Sequence, residues 1–165
     1  MKGVIYMNSK TLSVLLKVII AGVFLCSSAV YFVVVPDIGE SIAAHNPDYA
    51  WCYVPWLILI WATGLPLAAG LVLGWKIASG IGADRPFTRT NSGLLKWIAI
   101  FAAGDAALFF IGNAVMLLIN ASHFGVLLLS LFIGFVGAAI AVAAAVLSNL
   151  VMRAALLQEQ NDLTI

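Results

Sequence analysis

The sequence predicts an all-α integral membrane protein: an up-down bundle of four transmembrane helices, both termini cytoplasmic, in one domain over residues 1–165. Three observations predict it: the composition, four long apolar runs, and the side on which the lysines and arginines fall. The chain is 64% apolar and 9% charged, with a mean hydropathy of +1.11. A soluble domain is about 45–50% apolar and, at this length, carries about 41 charges. Here there are 8 basic and 7 acidic residues. Too few charges are present to cover a water-facing surface, which excludes a soluble enzyme and a disordered chain. A net charge of +1 excludes direct nucleic-acid binding through a basic field.

A helix needs about 20 apolar residues to cross the hydrocarbon layer. Lipid offers no partner to a free backbone group, so each crossing segment is helical. The first span covers residues 14–35 and stops at Pro36 and Asp37. Lys2, Lys10 and Lys17 ahead of it resemble the basic start of a signal peptide, and Ser27, Ser28 and Ala29 resemble a cleavage site. The apolar run continues to Val35, however, past the length of a signal peptide's apolar region, so the span is expected to be retained. The second span covers residues 55–77, and Pro66 inside it removes one helical hydrogen bond, with Thr63 placed to cap the freed carbonyl. The third covers residues 94–119 and the fourth 124–152, joined by a tight turn at 120–123. Residues 153–165 form a cytoplasmic tail.

All eight lysines and arginines fall on the side holding the N-terminus, the loop between spans two and three, and the tail. The loop at 36–54 and the turn at 120–123 carry none. By the positive-inside rule both termini lie in the cytoplasm of a cell (cytoplasmic) membrane. Tyr31, Tyr49, Trp51, Tyr53 and Trp56 mark the outer boundary, and Trp75, Phe87 and Trp97 the inner one. These rings anchor at the headgroup layer, and the outer set also suits a lid over a ligand site.

Hydrophobicity does not drive helices together in lipid; close approach through small residues does. Gly70 and Gly74 in span two, and Gly134 and Gly137 in span four, are the expected packing positions. Ala99, Ala103 and Ala107 repeat the spacing in span three. The same small faces also suit a homo-oligomer.

Asp105 is the one charge near the middle of a span. An aspartate there costs about 2.5–3.5 kcal/mol on insertion scales, so something must offset it. Asp105, Phe109, Gly112 and Met116 share a helix face, with Asn113 and Asn120 at its edge, which draws a polar stripe toward the outer surface. Two readings stay open. Asp105, Asn113 and Thr63 form an intramembrane polar site for protons or ions, or Asp105 is protonated and hydrogen-bonded to Thr63 or Ser27. Asp37, Glu40, His45, Asp48 and His123 suit zinc by residue type but lack ligand spacing, so no metal is expected. Cys26 and Cys52 sit at different depths, which argues against a disulfide. No phosphate loop, nucleophile elbow or carboxylate pair is present, so neither a cofactor nor enzymatic activity is expected.

The inner loop places Pro86 and Phe87 at the interface and offers Thr88, Asn91 or Ser92 as the cap of span three. The tail ends in Leu163, Thr164 and Ile165, an apolar-x-apolar terminus able to add to a partner's sheet edge.

Pro86-Phe87-Thr88, with Asn91 and Leu95 following, resembles the central inner-loop motif of a small bacterial four-span family. The tail Leu157-Gln158-Glu159-Gln160-Asn161-Asp162-Leu163-Thr164-Ile165 is similar to that family's C-terminal signature, with Gln160 where a further acid is expected. The family is domain of unknown function twenty-nine seventy-five. The resemblance implies four membrane helices, no established enzymatic activity, and a gene often beside a Cro/CI-type helix-turn-helix regulator. It therefore implies a regulatory or stress-sensing membrane partner of that regulator. The contacts would be Pro86, Phe87, Thr88 and Asn91 in the loop, with Leu157, Glu159, Asp162, Leu163 and Ile165 in the tail. The alternatives are a small transporter or channel using Asp105, and an immunity-type protein acting against a membrane-active peptide.

Overall fold

The computed structural model describes residues 8–162, all helix apart from short connections. The chain opens with α1 (Ser9–Ala29), whose first turn is capped by the Asn8 side chain accepting from the Lys10 amide at 3.3 Å. A π-helical turn (Val30–Val34) leads directly into α2 (Val35–His45). The three pieces form one helix of 37 residues, Ser9–His45, so the expected stop at Pro36 and Asp37 does not occur. In the wider turn the Val35 amide bonds the Val30 carbonyl, five residues back. Pro36 has no N–H to continue this pattern, and the Tyr31 carbonyl five residues before it accepts instead from Trp61 Nε1 on α3 at 3.1 Å.

The α2 helix ends at Asn46, with φ −134°, whose side chain turns back to donate to the Ile42 carbonyl. A 3-10 segment (Pro47–Cys52) leads into α3 (Tyr53–Gly82), which runs through Pro66. Thr63 does not cap the carbonyl that Pro66 leaves free at Ala62. Its hydroxyl donates instead to Ile60, three residues back, at 2.7 Å. After a turn with Asp84 at φ 57°, α4 (Arg89–Leu118) begins at Thr88, which accepts from the Asn91 amide at 3.1 Å. Thr88 is thus the cap among the three candidates. Asn120, at φ 58°, makes the tight turn to α5 (Phe124–Asp162).

Four helices, Ser9–His45, Pro47–Gly82, Arg89–Leu118 and Phe124–Asn161, are long and apolar enough to cross a membrane. Their packing follows chain order: α1 on α3, α3 on α4, α4 on α5. Among the described residues α1 touches neither α4 nor α5, and α3 does not touch α5. Small residues and hydroxyls make these seams. Ser13 donates to the Ala78 carbonyl at 2.6 Å, with Gly82 beneath it. Leu59 covers Gly112, and the Asn91 amide covers Gly80. Between α4 and α5, Ser92 and Ser148 donate to each other's carbonyls at 2.9 and 2.8 Å. Buried Ala99, Ala141, Ala144 and Ala155 belong to the same helix pair.

The four predicted packing glycines divide. A Cβ at Gly137 would lie 2.9 Å from that of Ala106, and Ile20 rests against Gly74. Gly70 and Gly134 instead face open space, where an added Cβ meets nothing within 4 Å, so they are not seam positions within the chain.

Candidate functional site

Chemistry-bearing side chains gather at both ends of the bundle, and one stands alone in the middle. Beyond the Pro36 restart, α2 leans over α3 and the Asn120 turn, and between them lies a cavity of about 660 Å³. Ile42 and Ala43 of α2 form one wall, and Tyr53, Trp56 and Ile60 of α3 the next. Phe109 and Asn113 of α4 face Leu129 and Ser130 of α5, while His123 stands at the turn. Gly39 is buried where the Tyr53 ring crosses α2. Glu40, one residue beyond Gly39 on α2, acts electrostatically on Tyr53 at the mouth. Asn113 and Ser130 are 2% and 1% exposed. Each donates once to its own helix, Asn113 to the Phe109 carbonyl at 2.8 Å and Ser130 to that of Leu127 at 2.7 Å.

At the opposite end the loop before α4 and the end of α5 are tied together. Arg89 Nε and Nη2 donate to the two Glu159 oxygens at 2.9 and 2.7 Å, a bidentate pair between residues 70 positions apart. The hydrogen bond from Arg89 holds the Glu159 carboxyl below the ordinary carboxylate value, and the same bond raises the already high Arg89 value. Its stabilisation is therefore present above the usual carboxylate range and is lost as pH falls through the depressed Glu159 value. Both partners are exposed, at 61% and 51%, so the pair orients the two segments more than it stabilises the fold.

Among the loop residues, Asn91 is 4% exposed, with its amide donating to the Arg85 and Pro86 carbonyls at 3.1 and 3.0 Å. It shapes the loop from within and offers no contact surface, contrary to the sequence-based expectation. Phe87 is 52% exposed. On α5, Leu156 and Leu157 are 40% and 63% exposed. The candidate contacts Leu163 and Ile165, with the side chain of Asp162, lie outside the described residues. Lys17 places its ammonium 5.5 Å from the Trp75 ring, a cation held at the boundary by an aromatic face.

The intramembrane trio does not converge. Thr63 is hydrogen-bonded to the Tyr31 hydroxyl at 2.9 Å, on the α1 side of α3. Asn113 faces the cavity, and Ser27 bonds the Phe24 carbonyl of its own helix. Neither expected partner reaches Asp105, whose Oδ1 is buried without a hydrogen bond. Among the described residues no three His, Cys, Asp or Glu side chains group as metal ligands, and both cysteines are free.

The Arg89–Glu159 tie, which joins residues far apart along the chain, was not anticipated from the sequence. Of the outer aromatics offered as a lid over a ligand site, Tyr49, Tyr53 and Trp56 line the cavity, as do Asn113 and Asn120 of the polar stripe. Ser130, one hydroxyl in a long apolar run, is a lining residue that was not singled out.

Four apolar crossing helices joined by short connections define a multi-pass α-helical membrane protein. Residues 37–165 match the family model described as protein of unknown function (DUF2975), and the chain belongs to that family. The match takes in the cavity, the inner loop and the tail. Comparison with curated proteins and with solved structures gives no match.

Proposed function

We propose that this protein is a non-enzymatic, regulatory membrane partner that holds a cytoplasmic transcription regulator of the helix-turn-helix type at the inner membrane. The observation that carries this reading is the Arg89–Glu159 pair, because it joins the family's two motif segments into one surface. Support also comes from the length of α5. Its 39 residues extend to roughly 58 Å at the α-helical rise, against about 30 Å of hydrocarbon. Several turns therefore stand clear of the layer, bearing exposed Leu156 and Leu157, with Phe87 exposed on the paired loop. Apolar side chains around a fixed charge pair suit protein docking. The concentration of lysines and arginines at this end supports its cytoplasmic placement.

The test is membrane fractionation of a Cro/CI-type regulator from the same genome, co-expressed with the chain. Phe87→Asp and Leu157→Asp are each expected to lower the membrane-bound fraction about tenfold, as loss of an anchor side chain does at an interface. Arg89→Glu is expected to lower it, and the exchange Arg89→Glu with Glu159→Arg to restore it. A regulator that distributes identically in all these strains removes the reading.

A further inference from the structure

The 660 Å³ cavity at the end remote from the Arg89–Glu159 pair is not used by the docking reading. We infer that it is a binding site for a membrane-partitioned cationic amphiphile, with an ammonium head at Glu40, Tyr53 and Trp56 and an apolar body along Ile60, Phe109 and Leu129.

The cavity has the size and lining of a small-molecule site, apolar over most of its wall with a few polar groups. Its deep polar residues, Asn113 and Ser130, each give one donor to their own helix, and the wall around them is mostly apolar. That wall suits a hydrocarbon chain or ring.

Charge selects the head group. The segments around the mouth, residues 36–54 and 120–123, carry Asp37, Glu40 and Asp48 and no lysine or arginine. An anionic head finds no counter-charge there. A cation finds the Glu40 carboxylate, which adjoins Gly39 of the cavity wall and acts on Tyr53, together with the Tyr53 and Trp56 rings that line the cavity. Aromatic faces beside a carboxylate are the general means of holding an ammonium group. The phosphate of a bilayer lipid is disfavoured by the same carboxylates.

The test uses the full chain in nanodiscs of phosphatidylcholine. Cys52 lines the cavity and is one of two cysteines, so Cys26→Ser leaves it as the single thiol. Its alkylation by N-ethylmaleimide is followed with dodecyltrimethylammonium, dodecanol or dodecyl sulfate at equal membrane concentration. The trimethylammonium probe is expected to slow labelling saturably, dodecanol to act only at higher concentration, and dodecyl sulfate to give no saturable protection. Glu40→Gln, which removes the charge and keeps the shape, is expected to raise the half-saturating concentration roughly fivefold, as loss of an exposed ion pair does. Quenching of Trp56 fluorescence by a chain-brominated trimethylammonium, referenced to Trp56→Phe, gives the same reading if Cys52 reacts too slowly. Equal protection by all three heads identifies an unselective lipid crevice and overturns the inference. So does a fluorescence and labelling response that Glu40→Gln leaves unchanged.

Discussion

Among the described residues Asp105 Oδ1 is the buried side-chain polar atom left without a hydrogen bond. Ser27, Thr63, Asn113 and Ser130 all satisfy themselves by donating to a carbonyl three or four residues back on their own helix. A carboxyl oxygen without a proton is limited to accepting, and in mid-helix the backbone N–H groups are already engaged. This explains why Asp105 Oδ1 is left without a partner while its polar neighbours are not. It also explains why pairing Asp105 with Thr63 or Ser27 from sequence misled, since those hydroxyls were already committed locally. Asp105→Asn supplies a donor at the same four-residue spacing by which Asn113 reaches the Phe109 carbonyl. The substitution is expected to stabilise the protein by about 1–3 kcal/mol, the usual penalty of a buried unsatisfied polar atom. Thermal unfolding in a neutral detergent reads this directly, and a lower melting temperature instead shows that the carboxylate has a stabilising partner. Proteoliposome flux of the same variant separates structure from transport: an Asp105-dependent ion path loses its flux with the substitution.

At the scale of the helix, small residues matter through position rather than motif. The Gly-xxx-Gly pattern drew attention to Gly70, Gly74, Gly134 and Gly137 alike, yet only Gly74 and Gly137 meet a neighbouring helix. The periodicity is satisfied on any face of a helix, and in lipid the outward face is as apolar as the inward one. Gly80, Gly82 and Gly112, which no motif marked, sit under Asn91, Ser13 and Leu59. Gly134→Ala is expected to gain about 0.5–1 kcal/mol from helix propensity, because its new methyl meets nothing. Gly137→Ala is expected to cost about 1–3 kcal/mol as α4 and α5 are forced apart at Ala106. Melting temperatures of the two variants should therefore move in opposite directions. If Gly134 instead serves a homo-oligomer face, Gly134→Ala shifts the cross-linking pattern in membranes. The Pro36 boundary misled for a related reason: the wider π-helical turn accommodates the ring, and Trp61 of the neighbouring helix supplies the donor to the Tyr31 carbonyl.

For the molecule as a whole, the number of crossings, the helical hairpin at Asn120 and the segregation of charge were legible because each is a one-dimensional property of the chain. The aromatic rim of the cavity was legible as a lid, but its enclosure was not, since it depends on α2 continuing past Pro36 and packing on α3. The same packing in chain order leaves Leu65, Leu118 and Phe135 at 74%, 81% and 69% exposure, surfaces that acyl chains must cover. Orientation then decides what each end can meet. On the proposed orientation, with the lysines and arginines inward, the Arg89–Glu159 surface would face the cytoplasm and the cavity the outer leaflet. In a Cys26→Ser, Cys52→Ser background, Asp48→Cys is expected to react with a membrane-impermeant maleimide in intact cells. Arg89→Cys is expected to react only after permeabilisation. The reverse pattern would turn the molecule over. It would place the carboxylate-rimmed cavity on the side of the cytoplasm and put the tied loop and helix beyond the reach of any transcription regulator, so one labelling experiment bears on both ends at once.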